Sequence, residues 1–430
     1  MKIIIVSSIP GLNISSCMNN FVDFSETKNV KVKWYKVEGD NGSRLIKEAE
    51  QTLLDSGVEK YYGNSYTFSQ VLALPISYLS LSCNKAFEST LLQIREDSEK
   101  ETFDVAIINL HSILFHQQTY EFANPYLTPH LIESLKNYEM TVEWVVSLQD
   151  DIYDIYRRLL DEGQVLNPGT RQQDTRDKRE RKPIKDIKDL RFILDWRDSE
   201  LNNARNISLA LGAKHLLFHK KGRLESFFQI LVENKPVVYL SHPISQPRRD
   251  LLNKPDSRKS KVPNLERGKR FVSSVNNLAD ILGRRIPIIE PTAIDEYRID
   301  SDLLDKLTTE NLKDKILPPL SDRWAITQGD RLGNTHVDEN GHKLLSINSN
   351  IYNDSHYEFD NNSLNYLHSA LEILLDEIKR QINVRDHTLA IQSSLIVAYR
   401  PYSLPNSASP TGGVSEEINS ILRKIKMNES

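Results

Sequence analysis

Met1-Lys2-Ile3-Ile4-Ile5-Val6-Ser7-Ser8-Ile9-Pro10-Gly11-Leu12-Asn13 is the stretch that decides the fold class. Ile3 to Val6 are apolar without alternation, the pattern of a strand buried on both faces. The residues from Ser7 to Asn13 are rich in Ser, Pro, Gly and Asn and read as a turn. Runs of the same apolar kind recur at Asp104-Val105-Ala106-Ile107-Ile108-Asn109-Leu110 and at Val142-Glu143-Trp144-Val145-Val146-Ser147-Leu148. A fourth, His215-Leu216-Leu217-Phe218-His219, follows a helical pattern from Asp198 to Leu211 that Gly212 stops at a C-cap position. Helical spacing also covers Ile152 to Leu160 and Leu224 to Val232. Strands alternating with helices predict an α/β fold built on a parallel sheet.

A fresh strand begins at Val237 after Asn234-Lys235-Pro236, which sets a domain boundary between residues 1–233 and 236–430. Near the C-terminus, Arg385-Asp386 precedes the apolar run Leu395-Ile396-Val397-Ala398-Tyr399, and Pro410-Thr411-Gly412-Gly413-Val414-Ser415-Glu416-Glu417-Ile418 follows it. The expected order is an acid at a helix start, a strand, a glycine turn and an acid at a second helix start. That order brings two carboxylates to one edge of a sheet, the ligand crevice of open α/β folds. Carboxylates held there serve as nucleophile or acid/base in breaking a glycosidic bond. Glu416, Glu417 and Asp386 equally suit the first turn of a helix, where the dipole favours an acid by about 0.3–1 kcal/mol. Between these segments, Tyr366 to Ile382 carries an apolar stripe at helical spacing, suited to packing on the sheet or on a second subunit.

A length of 430 residues suggests two or three domains, and a net charge of −4 gives no global attraction to nucleic acid or membrane. No apolar run approaches the roughly 18 residues of a membrane span. The opening apolar stretch is too short for a signal peptide, so the cytoplasm is the expected compartment. Cys17 and Cys83 lack CxxC spacing, which excludes a zinc ribbon and a disulfide framework. His111 and His116 lack the H-E-x-x-H pattern, no G-x-S-x-G turn is present, and no metal or cofactor is expected. Two charge-rich segments, 163–190 and 246–270, read as mobile loops. Their arginines also match phosphate geometry.

The stretch from Arg385 to Val397 resembles a segment of nucleoside 2-deoxyribosyltransferases and the related nucleotide N-glycoside hydrolases. Gly413 to Glu417-Ile418 has the spacing of that family's Gly-x-x-x-Glu motif, and Val237-Val238-Tyr239-Leu240-Ser241-His242 resembles its opening strand. Ser394 stands where the family usually has Asp, and Ser415 where a second glycine is common. The resemblance covers residues 236–430 and implies a flavodoxin/Rossmann-like sheet. It also implies Glu417 as nucleophile, Asp386 at the base or sugar and Tyr239 as the residue orienting Glu417. Ser241, His242, Arg248, Gly413 and Arg385 would bind substrate.

Residues 1–232 resemble archaeal-type adenylate kinases at separated places: Met1 to Ser16, His111 after a strand, Asn124-Pro125-Tyr126-Leu127, Asp151 to Arg158, and Glu200 to Arg205 with Leu211-Gly212-Ala213. That likeness implies a P-loop kinase-like sheet. A working phosphate loop reads G-x-x-x-x-G-K-[ST], whose lysine reaches the phosphates. Here Ser8, Asn13 and Ile14 replace the two glycines and the lysine, and only Ser15 survives. Kinase activity is therefore not expected. Ser15, Asn124, Arg157, Arg158 and Arg205 are the residues expected to sense a nucleotide.

The two resemblances together imply an N-glycosidic hydrolase or transferase acting on a nucleoside, nucleotide or nicotinamide dinucleotide, regulated by a nucleotide-sensing domain. Such a pairing implies metabolite depletion, as in bacterial anti-phage defence, with a homo-oligomer or a partner defence protein. The competing class is a catalytically inactive nucleotide sensor that signals to a partner.

Overall fold

The structure, a computed structural model, describes residues 1–38, 44–57, 66, 68–116, 121–161, 182–242, 263–291, 335–337, 343–345, 357–358 and 361–399. The chain is mixed α/β. It runs β1 (Lys2–Ser7), α1 (Ile14–Thr27), β2 (Val32–Lys36), α2 (Arg44–Asp55), α3 (Phe68–Val71), α4 (Ile76–Lys100) and β3 (Val105–Leu110). A hairpin, β4 (Leu114–His116) and β5 (Glu121–Ala123), leads to α5 (Thr128–Asn137), β6 (Val142–Gln149), α6 (Ile152–Asp161), α7 (Lys182–Leu211), β7 (Lys214–His219) and α8 (Leu224–Leu231). Then come β8 (Val238–Ser241), α9 (Pro263–Gly283), β9 (Ile288–Ile289) and an antiparallel set, β10 (Thr335–Val337), β11 (Lys343–Leu345) and β12 (Tyr357–Glu358). The last described elements are α10 (Asn361–Gln392) and β13 (Leu395–Ala398). Two compact units result, Met1–Gln149 with Asp195–Lys235, and Asp150–Leu194 with Pro236–Ser430.

The N-terminal unit holds a five-stranded parallel sheet in the order β2-β3-β1-β6-β7. β1 is central, and Ile4 faces Ile107 on one side and Trp144 on the other. Both faces of β1 are buried, as its unbroken apolar run requires. Ile3, Ile5, Ala106 and Ile108 share a core with Leu79, Phe87 and Leu91 of α4. Phe21 of α1 meets Phe227 of α8 edge-on at 5.0 Å, and Phe227 stacks on Phe218 of β7 at 4.5 Å. Burying each such ring contributes roughly 1.5–3 kcal/mol. From β1 the chain turns toward β2, and from β6 toward β7. The connections therefore diverge at the carboxyl ends of β1 and β6, which is where open α/β sheets bind ligands.

β2 is an edge strand that apolar runs did not reveal, because Lys33 and Lys36 interrupt it. Charged residues are what keep such edges from pairing with other chains. Of the two charge-rich segments expected to be mobile loops, residues 163–181 and 246–262 lie outside the described residues, and the described remainder is helical. Residues 182–190 open α7 and residues 263–270 open α9.

In the C-terminal unit a three-stranded parallel sheet has the order β13-β8-β9, with Tyr239 of β8 between Ile396 and Ile289. Arg385 and Asp386 do not start a helix. They lie in the last turns of α10, which runs unbroken from Asn361 to Gln392. No glycine or proline interrupts that stretch, so nothing separates the apolar stripe from the Arg-Asp pair.

Candidate functional site

The loop after β1 has a tight backbone. Gly11 has φ 78° and Asn13 has φ 55°, both left-handed, and α1 begins at the next residue, Ile14. Asn is among the few non-glycine residues that adopt this conformation readily, which explains its place there. Ser15 lies half-buried in the first turn of α1.

Beneath this loop the carboxyl ends of β1, β2 and β3 are tied by two buried carboxylates. Glu200 of α7 accepts the backbone N–H of Ser112 at 2.8 Å and of Ile113 at 2.6 Å, and the hydroxyl of Ser7. Burial pushes its carboxyl up to about 7, against the pull of His111 and of those donors. Glu38, just past β2, accepts the Tyr126 hydroxyl and the backbone N–H of His111 at 3.0 Å. Burial pushes Glu38 up to about 8, while Tyr126 and His111 hold it down. The His111 ring donates from Nδ1 to the Ser8 carbonyl, since a carbonyl only accepts. This fixes the tautomer, and Nε2 then faces Glu38 at 3.7 Å. Desolvation lowers the His111 pKa, so the neutral ring is favoured.

A basic residue reaches the loop from elsewhere. Lys220, the first residue after β7, donates from Nζ to the Leu12 carbonyl at 2.7 Å. Nothing in the loop's own sequence announces this lysine. The available signal was the Lys220-Lys221-Gly222 turn at the carboxyl end of a buried strand. Glu38 and Glu200 were equally hidden, one in a polar turn and the other inside a helix.

The predicted nucleotide-sensing residues are divided between the two units. Asn124 donates to Asn203 at 3.1 Å, and Asn203 in turn donates to the Ser112 carbonyl at 2.9 Å, so Asn124 joins the rim of the network. Arg205 is exposed on α7, and its charge, after burial, helps lower the His215 pKa to about 4. Arg157 and Arg158 lie on α6, which groups with the C-terminal unit. There Arg158 pairs with buried Asp150 at 2.5 Å.

In the C-terminal unit Tyr239 is wholly buried in the central strand, and Ser241 and His242 are buried at its carboxyl end. The His242 ring meets Phe271 at 6.1 Å, and Phe271 stacks on Tyr399 just past β13 at 6.4 Å. Asp386 Oδ1 lies 3.1 Å from Nε of buried Arg385. A carboxylate in the last turns of a helix lacks the free N–H groups of a helix start and sits toward the negative end of the dipole. Arg385 is the partner that compensates it. Glu417, Gly413 and Arg248 lie outside the described residues.

Among the described residues no group of His, Cys, Asp and Glu could hold a metal ion, and no helix is long and apolar enough to cross a membrane. Comparison with protein-family models finds no match, and comparison with curated proteins finds none.

Proposed function

We propose that the C-terminal unit hydrolyses or transfers the N-glycosidic bond of a nucleoside, nucleotide or nicotinamide dinucleotide, and that the N-terminal unit binds a nucleotide without phosphorylating it. The observation that carries the first half is the parallel pairing of β8 with β13. It sets Tyr239 beside Ile396, one strand before the segment that contains Gly413 and Glu417. Ser241 and His242 end β8 at the carboxyl edge, where a sugar or phosphate would be met. In this reading Glu417 attacks or stabilises the anomeric carbon, Tyr239 orients it, and Asp386 with Arg385 supports the sugar or base. Depletion of a nucleotide by a regulated enzyme of this kind suits a defence role alongside a partner or a second copy of the chain.

The second half rests on the loop after β1. It retains left-handed Gly11 and Asn13 but carries Ile14 in place of a lysine. An apolar side chain there cannot neutralise the charge of a transferring phosphoryl group. Purified protein offered a panel of nucleosides, nucleotides and nicotinamide dinucleotide is expected to release free base from at least one of them.

One observation favours the alternative, a non-catalytic sensor. Asp386 is paired with Arg385 inside a helix rather than presented at a helix start. Nucleotide binding without any base release across the panel is the outcome that this second reading predicts.

A further inference from the structure

We infer that Glu38 and His111 form a proton-operated latch across the carboxyl ends of β1, β2 and β3. Glu38 holds it closed while protonated, and loss of that proton to water opens it locally. The latch needs no nucleotide and is independent of the proposed function.

A chain of hydrogen bonds ties four segments together. Tyr126, three residues past β5, donates its hydroxyl to one oxygen of Glu38, two residues past β2. The other oxygen takes the backbone N–H of His111, the first residue past β3, at 3.0 Å. The His111 ring then donates to the carbonyl of Ser8, the first residue past β1. None of these four residues lies inside a strand, so the chain can part while the sheet stays paired. Its tie to the sheet is also weak. The Val37 N–H reaches the Asn109 carbonyl at 3.4 Å, long for such a bond.

The surroundings of Glu38 make its proton decisive. It faces Tyr126, His111 and Cys83 of α4, and His111 in turn faces Glu200 of α7. Among the described residues no lysine or arginine acts on Glu38, whose side chain is wholly buried. The His111 ring, 3.7 Å away, is the nearest group able to take up a proton, and desolvation keeps it neutral. A buried carboxylate without a cation is strongly disfavoured. The closed latch therefore keeps the Glu38 proton up to about 8, whereas a hydrated Glu38 returns toward its ordinary 4.5. Between those values each pH unit makes opening about tenfold easier, and the effect levels off above 8. Glu200, raised to about 7, adds to this where opening also frees the loop after β3.

Cys83 is a built-in reporter. It is wholly buried and hydrogen-bonded to Tyr126, while Cys17 on α1 is half-exposed and serves as reference. The full chain is alkylated with N-ethylmaleimide at pH 6 and pH 8, and both cysteines are followed by mass spectrometry. The ratio of Cys83 to Cys17 labelling cancels the pH dependence of thiol chemistry. It is expected to rise at least tenfold in the wild type and less than threefold in Glu38→Gln. A ratio that stays flat in the wild type, or rises as steeply in Glu38→Gln, overturns the latch. Hydrogen exchange of the wild type then separates local opening from unfolding of the whole unit, and decides alone if Glu38→Gln does not fold. Corrected for the intrinsic effect of pH, protection of the His111 N–H is expected to fall at least tenfold from pH 6 to pH 8. The Ile107 N–H, inside β3, is expected to stay better protected than His111 at both pH values. Constant protection of His111, or equal protection of the two, contradicts the inference.

Discussion

The carboxylate of Glu200 accepts the backbone N–H of Ser112 at 2.8 Å, and through this bond a helix residue fixes the loop that follows β3. The same carboxylate holds Ile113 N–H and the Ser7 hydroxyl, so two neighbouring strand ends depend on one side chain. Glu200→Ala strands two buried N–H donors, each costing about 1–3 kcal/mol. A loss of roughly 2–5 kcal/mol is expected, or about 2–4 °C of melting temperature per kcal/mol for a unit of this size. Glu200→Gln keeps one accepting oxygen and should lose less. Equal melting of wild type and Glu200→Ala would show that the bonds to Ser112 and Ile113 carry no stability.

Glu38 gives the molecule a pH dependence of predictable sign. Its carboxyl is raised from an ordinary 4.5 to about 8 by burial, so the folded chain holds the proton more tightly than the unfolded one. The stability it contributes is complete below about pH 4.5 and is lost as pH rises through 8. Glu200, raised to about 7, acts in the same direction. Thermal melting of the N-terminal unit within the full chain is expected to fall between pH 5 and pH 8. Glu38→Gln mimics the protonated form and should flatten that fall. A slope unchanged in Glu38→Gln assigns the dependence to other groups.

The N-terminal unit should not phosphorylate AMP. With Ile14 at the lysine position, incubation with ATP, AMP and Mg²⁺ is expected to yield no ADP above background. Turnover anywhere near roughly 1–100 per second, the ordinary kinase range, would contradict the reading of this loop.

Asp386 and Arg385 form a pair whose two halves are not equivalent. Arg385 is almost fully buried and Asp386 is partly open, so removing the anion takes one negative charge from beside a buried cation. Asp386→Asn is expected to lower both the melting temperature and the rate of base release, the rate by less than Glu417→Gln does. Base release at the wild-type rate in a folded Asp386→Asn protein would remove Asp386 from the site.

Much of the fold was legible where burial is two-sided. Ile3 to Val6, Val105 to Leu110, Val142 to Leu148 and His215 to His219 all lie in parallel strands, because short, mainly apolar runs bounded by turn residues have few other uses. Gly212, with φ 64°, ends α7 as its position predicted. β2 escaped because an edge strand is less fully buried, and Lys33 and Lys36, three residues apart, place a charge on each of its faces. The helix start assigned to Asp386 failed because acid residues mark first turns only statistically, while the absence of glycine or proline from Asn361 to Gln392 lets one helix continue. The polar network of Glu38, His111, Tyr126 and Glu200 could not be read at all. Its members are far apart in the chain and meet only because β1, β2 and β3 end side by side.

The most direct measurement is chromatographic detection of free base after incubating wild type and Glu417→Gln with nucleosides, nucleotides and nicotinamide dinucleotide, with Glu416→Gln as control. The account predicts base release by the wild type, its loss in Glu417→Gln with melting temperature kept within about 1 kcal/mol of stability, and far smaller loss in Glu416→Gln. A folded Glu417→Gln protein that releases base at the wild-type rate, or a wild type that releases none from any substrate, would contradict it.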